Sequence, residues 1–202
     1  MKATWVAKLG GSLLEAPDLP DLGQRLETVL AARGGPRPIL VVGGGQTVDL
    51  IRRWDRLFDL GEEAAHWIAV RALSVNARVV KEILPGSVLV ESVQDCEAAW
   101  RQASVPIFDC FAFLTRIDER RENPLPRAWK VTSDSLAARI AVHFGAPELA
   151  LLKSASFDSG ASLSDAIQDG FVDAYFVEAA RSLGSIVSIN LREDSPEVFT
   201  LG

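Results

Sequence analysis

The sequence predicts an α/β fold in which a central, mostly parallel sheet carries helices on both faces. Short apolar runs recur without polar alternation, as strands covered on both sides require: Trp5–Leu9, Ile39–Val42, Val88–Val90, Val105–Phe108, Leu149–Leu152 and Ile186–Ile189. Segments with helical spacing separate them, and the β-α alternation implies parallel pairing. The first two runs end in glycine clusters, Gly10-Gly11 and Gly43-Gly44-Gly45.

The first run carries Lys8, then Leu9, two glycines and Ser12. This reads as a buried strand opening into a phosphate-binding turn, because adjacent glycines let backbone N–H groups approach an anion and the lysine adds a full charge. A plain strand exit explains the glycines but not a lysine within the apolar run. Asp21–Arg33 has helical spacing and stops at Arg33-Gly34-Gly35-Pro36; Ile39–Val42 runs straight into the triple glycine. Residues 46–59 form a second helix. After Gly61 the stripe Ile68, Ala72, Val75, Val79, Ile83 marks a longer one, read as core or dimer packing and ended by Pro85-Gly86.

Val88–Val90, a helix at Gln94–Gln102 and Val105–Phe108 repeat the alternation. Residues 115–128, rich in charge and holding two prolines, read as an exposed loop. Ser133–Phe144 is a helix with Leu136, Ile140 and Phe144 on one side, followed by Leu149–Leu152 ending in Lys153. Ser154–Gly170 is polar and reads as a flexible functional loop. A helix near Ala174–Leu183, the strand Ile186–Ile189 and an edge strand at Val198–Leu201 complete the chain.

Composition narrows the function. The chain has 202 residues, 48% hydrophobic and 24% charged, with net charge -6. That fits one globular domain and argues against a general nucleic-acid or anionic-membrane surface. Two cysteines make no disulfide framework, no cysteine or histidine cluster has zinc spacing, and no apolar run reaches the ~18 residues of a membrane span. The N-terminal stretch is a strand pattern and not a signal peptide, so a cytoplasmic protein is expected. The Walker pattern fails after Gly10-Gly11, and Gly43, Gly45 and Val48 break the dinucleotide fingerprint at its third glycine, which weakens an oxidoreductase reading. Two glycine turns, a polar helix start at Thr132-Ser133-Asp134 and Lys153 at a strand end remain, and a doubly wound sheet can bring them to one crevice.

Lys8-Leu9-Gly10-Gly11-Ser12, Val41-Val42-Gly43-Gly44-Gly45, Val131–Ala138 and Leu151-Leu152-Lys153-Ser154 together resemble the amino acid kinase superfamily, which includes uridylate and isopentenyl phosphate kinases. Leu125–Trp129 and Ala65–Ala69 are similar to its short members that phosphorylate an aminomethyl-furan-methyl phosphate in methanofuran biosynthesis. The resemblance implies a three-layer α/β/α sandwich forming a single domain over residues 1–202. Residues 1–130 would hold the phosphoryl acceptor and 131–202 would hold ATP with Mg2+, in a homodimer or larger homo-oligomer.

On the same basis Lys8 would bridge the transferring phosphoryl oxygens, with Asp134 and Lys153 completing the catalytic set. Gly10, Gly11, Ser12, Gly45, Lys153, Ser154, Asp158 and Gly160 would meet the nucleotide. Gly43, Gly44, Asp49, Arg53, Trp129, Thr132 and Ser133 would meet the acceptor, whose phosphate could sit at the N-terminus of the helix after the triple glycine. Asp134 would position Lys8 or help hold the metal. Read from the residues alone, Asp134 is equally a helix N-cap, Lys153 a surface group, His66 and Trp129 packing residues, and Asp49–Arg53 a solvated i,i+4 pair. Trp129 and Trp67 are candidate apolar walls, and Asp49 or Asp109 a candidate partner for an amine.

One departure stands out: many amino acid kinases carry a second catalytic lysine near the C-terminus, and no lysine follows Lys153 here. The resemblance to the uridylate kinase branch, which has a lysine at the Lys153 position, implies that Lys153 would serve instead. Two classes of function follow, an ATP-dependent kinase of a small phosphate-bearing acceptor, or a kinase-like protein that binds nucleotide or oxyanions as a storage or regulatory subunit.

Overall fold

β1 (Thr4–Leu9) and β2 (Arg37–Val42) alternate between two buried faces, so each strand feeds two cores. Val6, Ile39, Val41, Leu149 and Leu151 pack on one side; Ala7, Leu9, Leu40, Val42, Ala150 and Leu152 pack on the other. The computed structural model describes residues 4–15, 21–33, 37–157, 162–193 and 198–200. The other strands are β3 (Ser87–Val90), β4 (Val105–Phe108), β5 (Glu148–Lys153), β6 (Ser185–Asn190) and β7 (Val198–Thr200). Their order is β3-β4-β2-β1-β5-β6-β7, parallel throughout except for β7, which runs antiparallel to β6.

The helices are α1 (Leu22–Ala32), α2 (Gly45–Phe58), α3 (Glu62–Ile83), α4 (Val93–Arg101), α5 (Cys110–Arg116), α6 (Ser133–His143), α7 (Leu163–Gln168) and α8 (Phe176–Ala180). α1 covers one face of the sheet and α4, α5, α6 and α8 the other, while α3 contributes to both cores. This is the expected α/β/α sandwich. After β1 the chain builds β2, β3 and β4 to one side, then crosses to β5 on the other, so the β1–β5 boundary is the switch point where such folds bind ligands.

Three expectations change. The stripe Ile68, Val75, Val79, Ile83 does not enter the core: these side chains stay 39–55% exposed, and α3 buries Ala65, His66, Ala69, Val70, Leu73, Asn76, Ala77 and Val80 instead. Ala65, Ala69 and Ala77, set among Val70, Leu73 and Val80, suit a close approach to the sheet and α2, and the stripe one position earlier is left outside. Residues 115–128 are not a simple exposed loop. Buried Asp118 accepts from Leu125 N–H (2.7 Å) and pairs with Arg139 (3.0 Å), and Arg127 pairs with Glu63 and Glu119. Within 154–170, α7 starts in a capping box between Ser162 and Asp165, a legible helix signal in a stretch expected to be flexible.

Candidate active site

Lys8 lies on the central strand, facing α6, and is only 4% exposed. A buried ammonium needs a counter-charge. Asp134, one residue into α6, supplies it at 2.8 Å. Lys153, at the end of adjacent β5, donates to both oxygens of the same carboxylate (3.0 and 3.2 Å) and to the Phe171 carbonyl (2.5 Å). Two ammoniums thus share one carboxylate and leave an excess positive charge at the switch point. Burial would raise the Asp134 pKa, but Lys8 and Lys153 outweigh it and hold the group below the usual carboxylate range. Burial, reinforced by the charge of Lys8, lowers the Lys153 pKa from 10.5 to about 8.

Asp134 does not cap its helix. The capping carboxylate comes from Asp173, which accepts from Thr132 N–H (3.0 Å), Thr132 O–H (2.8 Å), Ser135 N–H (2.9 Å), Ser135 O–H (2.5 Å) and Tyr175 N–H (3.1 Å). Two of the orphan donors at the start of α6, Thr132 N–H and Ser135 N–H, are thereby met from 38 residues or more away, and the Asp134 side chain is left to the lysines.

The glycine turns are tied to the sheet: Gly10 N–H donates to the Leu152 carbonyl (2.7 Å) and Gly43 N–H to the Leu9 carbonyl (2.8 Å). A Cβ on Gly11 would strike the Gly44–Gly45 backbone, and Gly45 has φ +52°, so side chains are excluded where the turns meet. Asn76, buried on α3, donates to the Gly43 and Gly44 carbonyls (2.7 Å each). Those carbonyls are held against α3. At the start of α2, however, the Glu15 carboxylate accepts from Gln46 N–H. The seat expected for the acceptor's phosphate therefore holds one of the chain's own carboxylates.

A cavity of about 320 Å³ opens beside these groups. Of the predicted residues, Lys8, Gly11, Ser12, Gly44, Gly45, Asp49, Trp129, Thr132, Ser133 and Asp134 line it, with His66 on its wall. Burial keeps His66 below its ordinary pKa, favouring the neutral ring. Gly10 and Gly43 sit in the turns just behind. Ser154 lies close by, its hydroxyl 2.9 Å from that of Ser12. Asp158 and Gly160 lie outside the described residues.

Two predicted contacts move. Arg53 is exposed, and Arg52 takes its place: it lines the cavity, donates to Asp49 (2.8 Å) and stacks 5.2 Å from the Trp129 ring. Asp49 and Arg52 are i,i+3 neighbours, a spacing as compatible with pairing as i,i+4. Asp109 is elsewhere, capping α5 and accepting from Ser74 (3.0 Å). Trp67 packs against His66 and Phe111 and does not line the cavity. Trp129 is fixed by its indole N–H on Asp55 (2.7 Å).

Among the described residues no three His, Cys, Asp or Glu side chains converge on a metal position. Asp134, the carboxylate at the lysines, is already bonded to both. The described residues do not form a cage for resident Mg2+, so no metal role is assigned to Asp134.

The amino acid kinase family model matches residues 3–158. The chain belongs to the amino acid kinase family. Its fold is that of UMP kinase from Ureaplasma parvum (TM-score 0.69, 15% identity, 100% of each chain covered) and uridylate kinase from Archaeoglobus fulgidus (0.59, 17%, 100% of this chain and 91% of that one). Aspartate kinase from Synechocystis shares it too (0.64, 11%, 99% of this chain and 40% of that one). No curated protein matches the chain. Within this kinase fold, Arg52, Asn76, Glu15 and Asp173 are the site residues that the sequence reading missed.

Proposed function

We propose that this member of the amino acid kinase family moves the γ-phosphoryl group of ATP onto a small acceptor that already carries a phosphate, giving a diphosphate. The observation that supports it is the pair Lys8 and Lys153, held on one carboxylate at the ends of adjacent strands. An acceptor phosphate oxygen attacks the γ-phosphorus, the bond to the β–γ bridging oxygen breaks, and its electron pair leaves with ADP. The attacking oxygen is ionised at neutral pH, so no general base is required. What the protein supplies is alignment and positive charge where negative charge shifts.

Lys8 would meet the transferring phosphoryl oxygens and Lys153 the nucleotide side. Asp134 keeps both ammoniums in place. Gly10, Gly11, Ser12, Ser154, Asp158 and Gly160 belong to the ATP side in this reading, and Arg52, Asp49, Trp129 and His66 to the acceptor side. Mg2+ arrives with ATP, held by its phosphates and by water. The acceptor class includes aminomethyl-furan-methyl phosphate, the substrate of the methanofuran-type kinases that the sequence resembles: on the cavity wall Trp129 offers an apolar surface and Asp49 a partner for an amine. The enzyme would work as a homodimer or larger homo-oligomer.

The test is incubation of the protein with ATP, Mg2+ and a panel of aminomethyl-furan-methyl phosphate, isopentenyl phosphate, UMP, glutamate and aspartate, with products followed by mass. Diphosphate formation is expected. Preference for an unphosphorylated amino acid sinks the acceptor reading, and ATP binding without turnover of any acceptor favours the storage or regulatory subunit.

A further inference from the structure

His66, on the second turn of α3, lines the cavity yet is only 3% exposed. Its ring stands edge-on to Trp67 (5.6 Å), and the carbonyl of Ala128, the neighbour of Trp129, hydrogen-bonds one of its nitrogens. A carbonyl only accepts, so that nitrogen carries the hydrogen. Burial lowers the pKa below 6.5 and keeps the ring neutral, with Arg127, Glu119 and Glu62 the charged groups that face it. The other nitrogen then presents a bare lone pair. Among the described residues no donor reaches it, and the space beside it is the cavity. A buried lone pair left bare costs free energy that a ligand with a donor relieves.

We infer that His66 is a specificity residue: its bare nitrogen accepts a hydrogen bond from the phosphorylated substrate and so selects substrates that carry a protonated amine or a hydroxyl besides the phosphate. This rests on the kinase function proposed above and adds to it the work of His66. An ammonium and a hydroxyl share the needed donor; an ethyl group of similar size lacks it. A donor-free substrate leaves the nitrogen unpaired in a buried position, and buried polar groups discriminate far more strongly than an apolar wall such as Trp129. Asp49, on the same cavity wall, adds a counter-charge for an ammonium. A protonated ring would offer a donor here and turn an ammonium away, so burial and the charge of Arg127, which both favour the neutral ring, serve the same selection.

The test compares aminomethyl-furan-methyl phosphate with its analogues bearing hydroxymethyl or ethyl in place of aminomethyl, so that all share one phosphate arm. The wild type should favour the amine and the alcohol over the ethyl analogue by at least ~10-fold in kcat/KM. In His66→Phe, which keeps a flat ring in place, that preference should fall at least ~10-fold through the substrate KM, with the KM for ATP and the kcat on the ethyl analogue unchanged. Circular dichroism checks the fold. Long-range proton–nitrogen correlation spectra of the wild-type histidine rings need neither turnover nor a folded variant at position 66; the chain has two histidines, and His143→Gln assigns the signals. His66 should show one protonated and one bare nitrogen, and the bare one should shift when the amine or the alcohol binds and stay in place with the ethyl analogue. A wild type indifferent to the donor, a preference that survives in His66→Phe, or a bare nitrogen that neither the amine nor the alcohol moves overturns the inference. The kinase reading is decided separately, by diphosphate formation across the wider panel above.

Discussion

Two helices enter the same crevice, and each N-terminus is met by a carboxylate from elsewhere in the chain, yet the two ends differ in kind. At α6, Asp173 accepts five hydrogen bonds and is partly shielded from water. At α2, Glu15 is exposed and accepts from Gln46 N–H beside Gly45, on the wall of the cavity. The first end is firmly capped. The second is filled by a group that a stronger anion can replace at little cost in buried bonds. The difference assigns work: capping α6 frees Asp134 to gather Lys8 and Lys153, while the α2 end keeps its donors available to a ligand.

The largest effect should come from the lysine that the capped end supports. Lys8→Ala removes a positioned cation and should cut phosphoryl transfer by on the order of 10²-fold or more, while Asp134 keeps Lys153 as its partner and the protein stays folded. Single-turnover rates with a folded control decide it; near-normal turnover would remove Lys8 from the chemistry. Asp173→Ala should act on stability, lowering it by about 2–3 kcal/mol in denaturant unfolding because α6 loses its cap. An unchanged midpoint would show that the α6 end is not capped by Asp173.

A smaller, graded effect concerns pH. Lys153 titrates near 8 in the fold against 10.5 when free. If its cation is needed, kcat should fall about tenfold per unit well above pH 8. Stability should move the other way. Between 8 and 10.5 the unfolded chain binds this proton more tightly than the folded one, so this group's contribution to stability rises with pH across that window. Activity falling while the fold gains stability separates titration from unfolding. Lys153→Arg, which stays charged, should lose the alkaline limb; if the limb persists, another group sets it.

Much of this was legible in the sequence because it is local. Unbroken apolar runs announce strands buried on both faces, and lysines at the ends of two of them mark a polar purpose in an apolar setting. What escaped was set by tertiary geometry. Asp173 and Glu15 reach their helices from 38 and 31 residues away, and no local spacing encodes that. On α3 the stripe of branched residues reads as core or dimer packing, and the core side is taken instead by residues such as Ala65, Ala69, Asn76 and Ala77, of which Asn76 hydrogen-bonds the glycine-turn carbonyls across a distance in sequence that no local spacing encodes. A shift of phase by one residue along a helix likewise exchanged Arg52 for Arg53.

The smallest effect tests the open end directly. In Glu15→Gln the amide oxygen can still accept from Gln46 N–H, so the loop that starts at Gly11 keeps its anchor while the negative charge leaves the α2 terminus. If Glu15 competes with the acceptor's phosphate, losing that charge should lower the acceptor KM about two- to fivefold, the ~0.3–1 kcal/mol that a charge at a helix terminus is worth, with kcat and the KM for ATP nearly unchanged. Inhibition by inorganic phosphate or sulfate should strengthen by a similar factor, since the same seat would be offered to any oxyanion. High salt should shrink both effects by screening. An acceptor KM that stays put or rises, accompanied by lower stability, would make Glu15 a structural cap of the Asp173 kind and would place the acceptor's anion elsewhere in the cavity, with Arg52 the next cation to test.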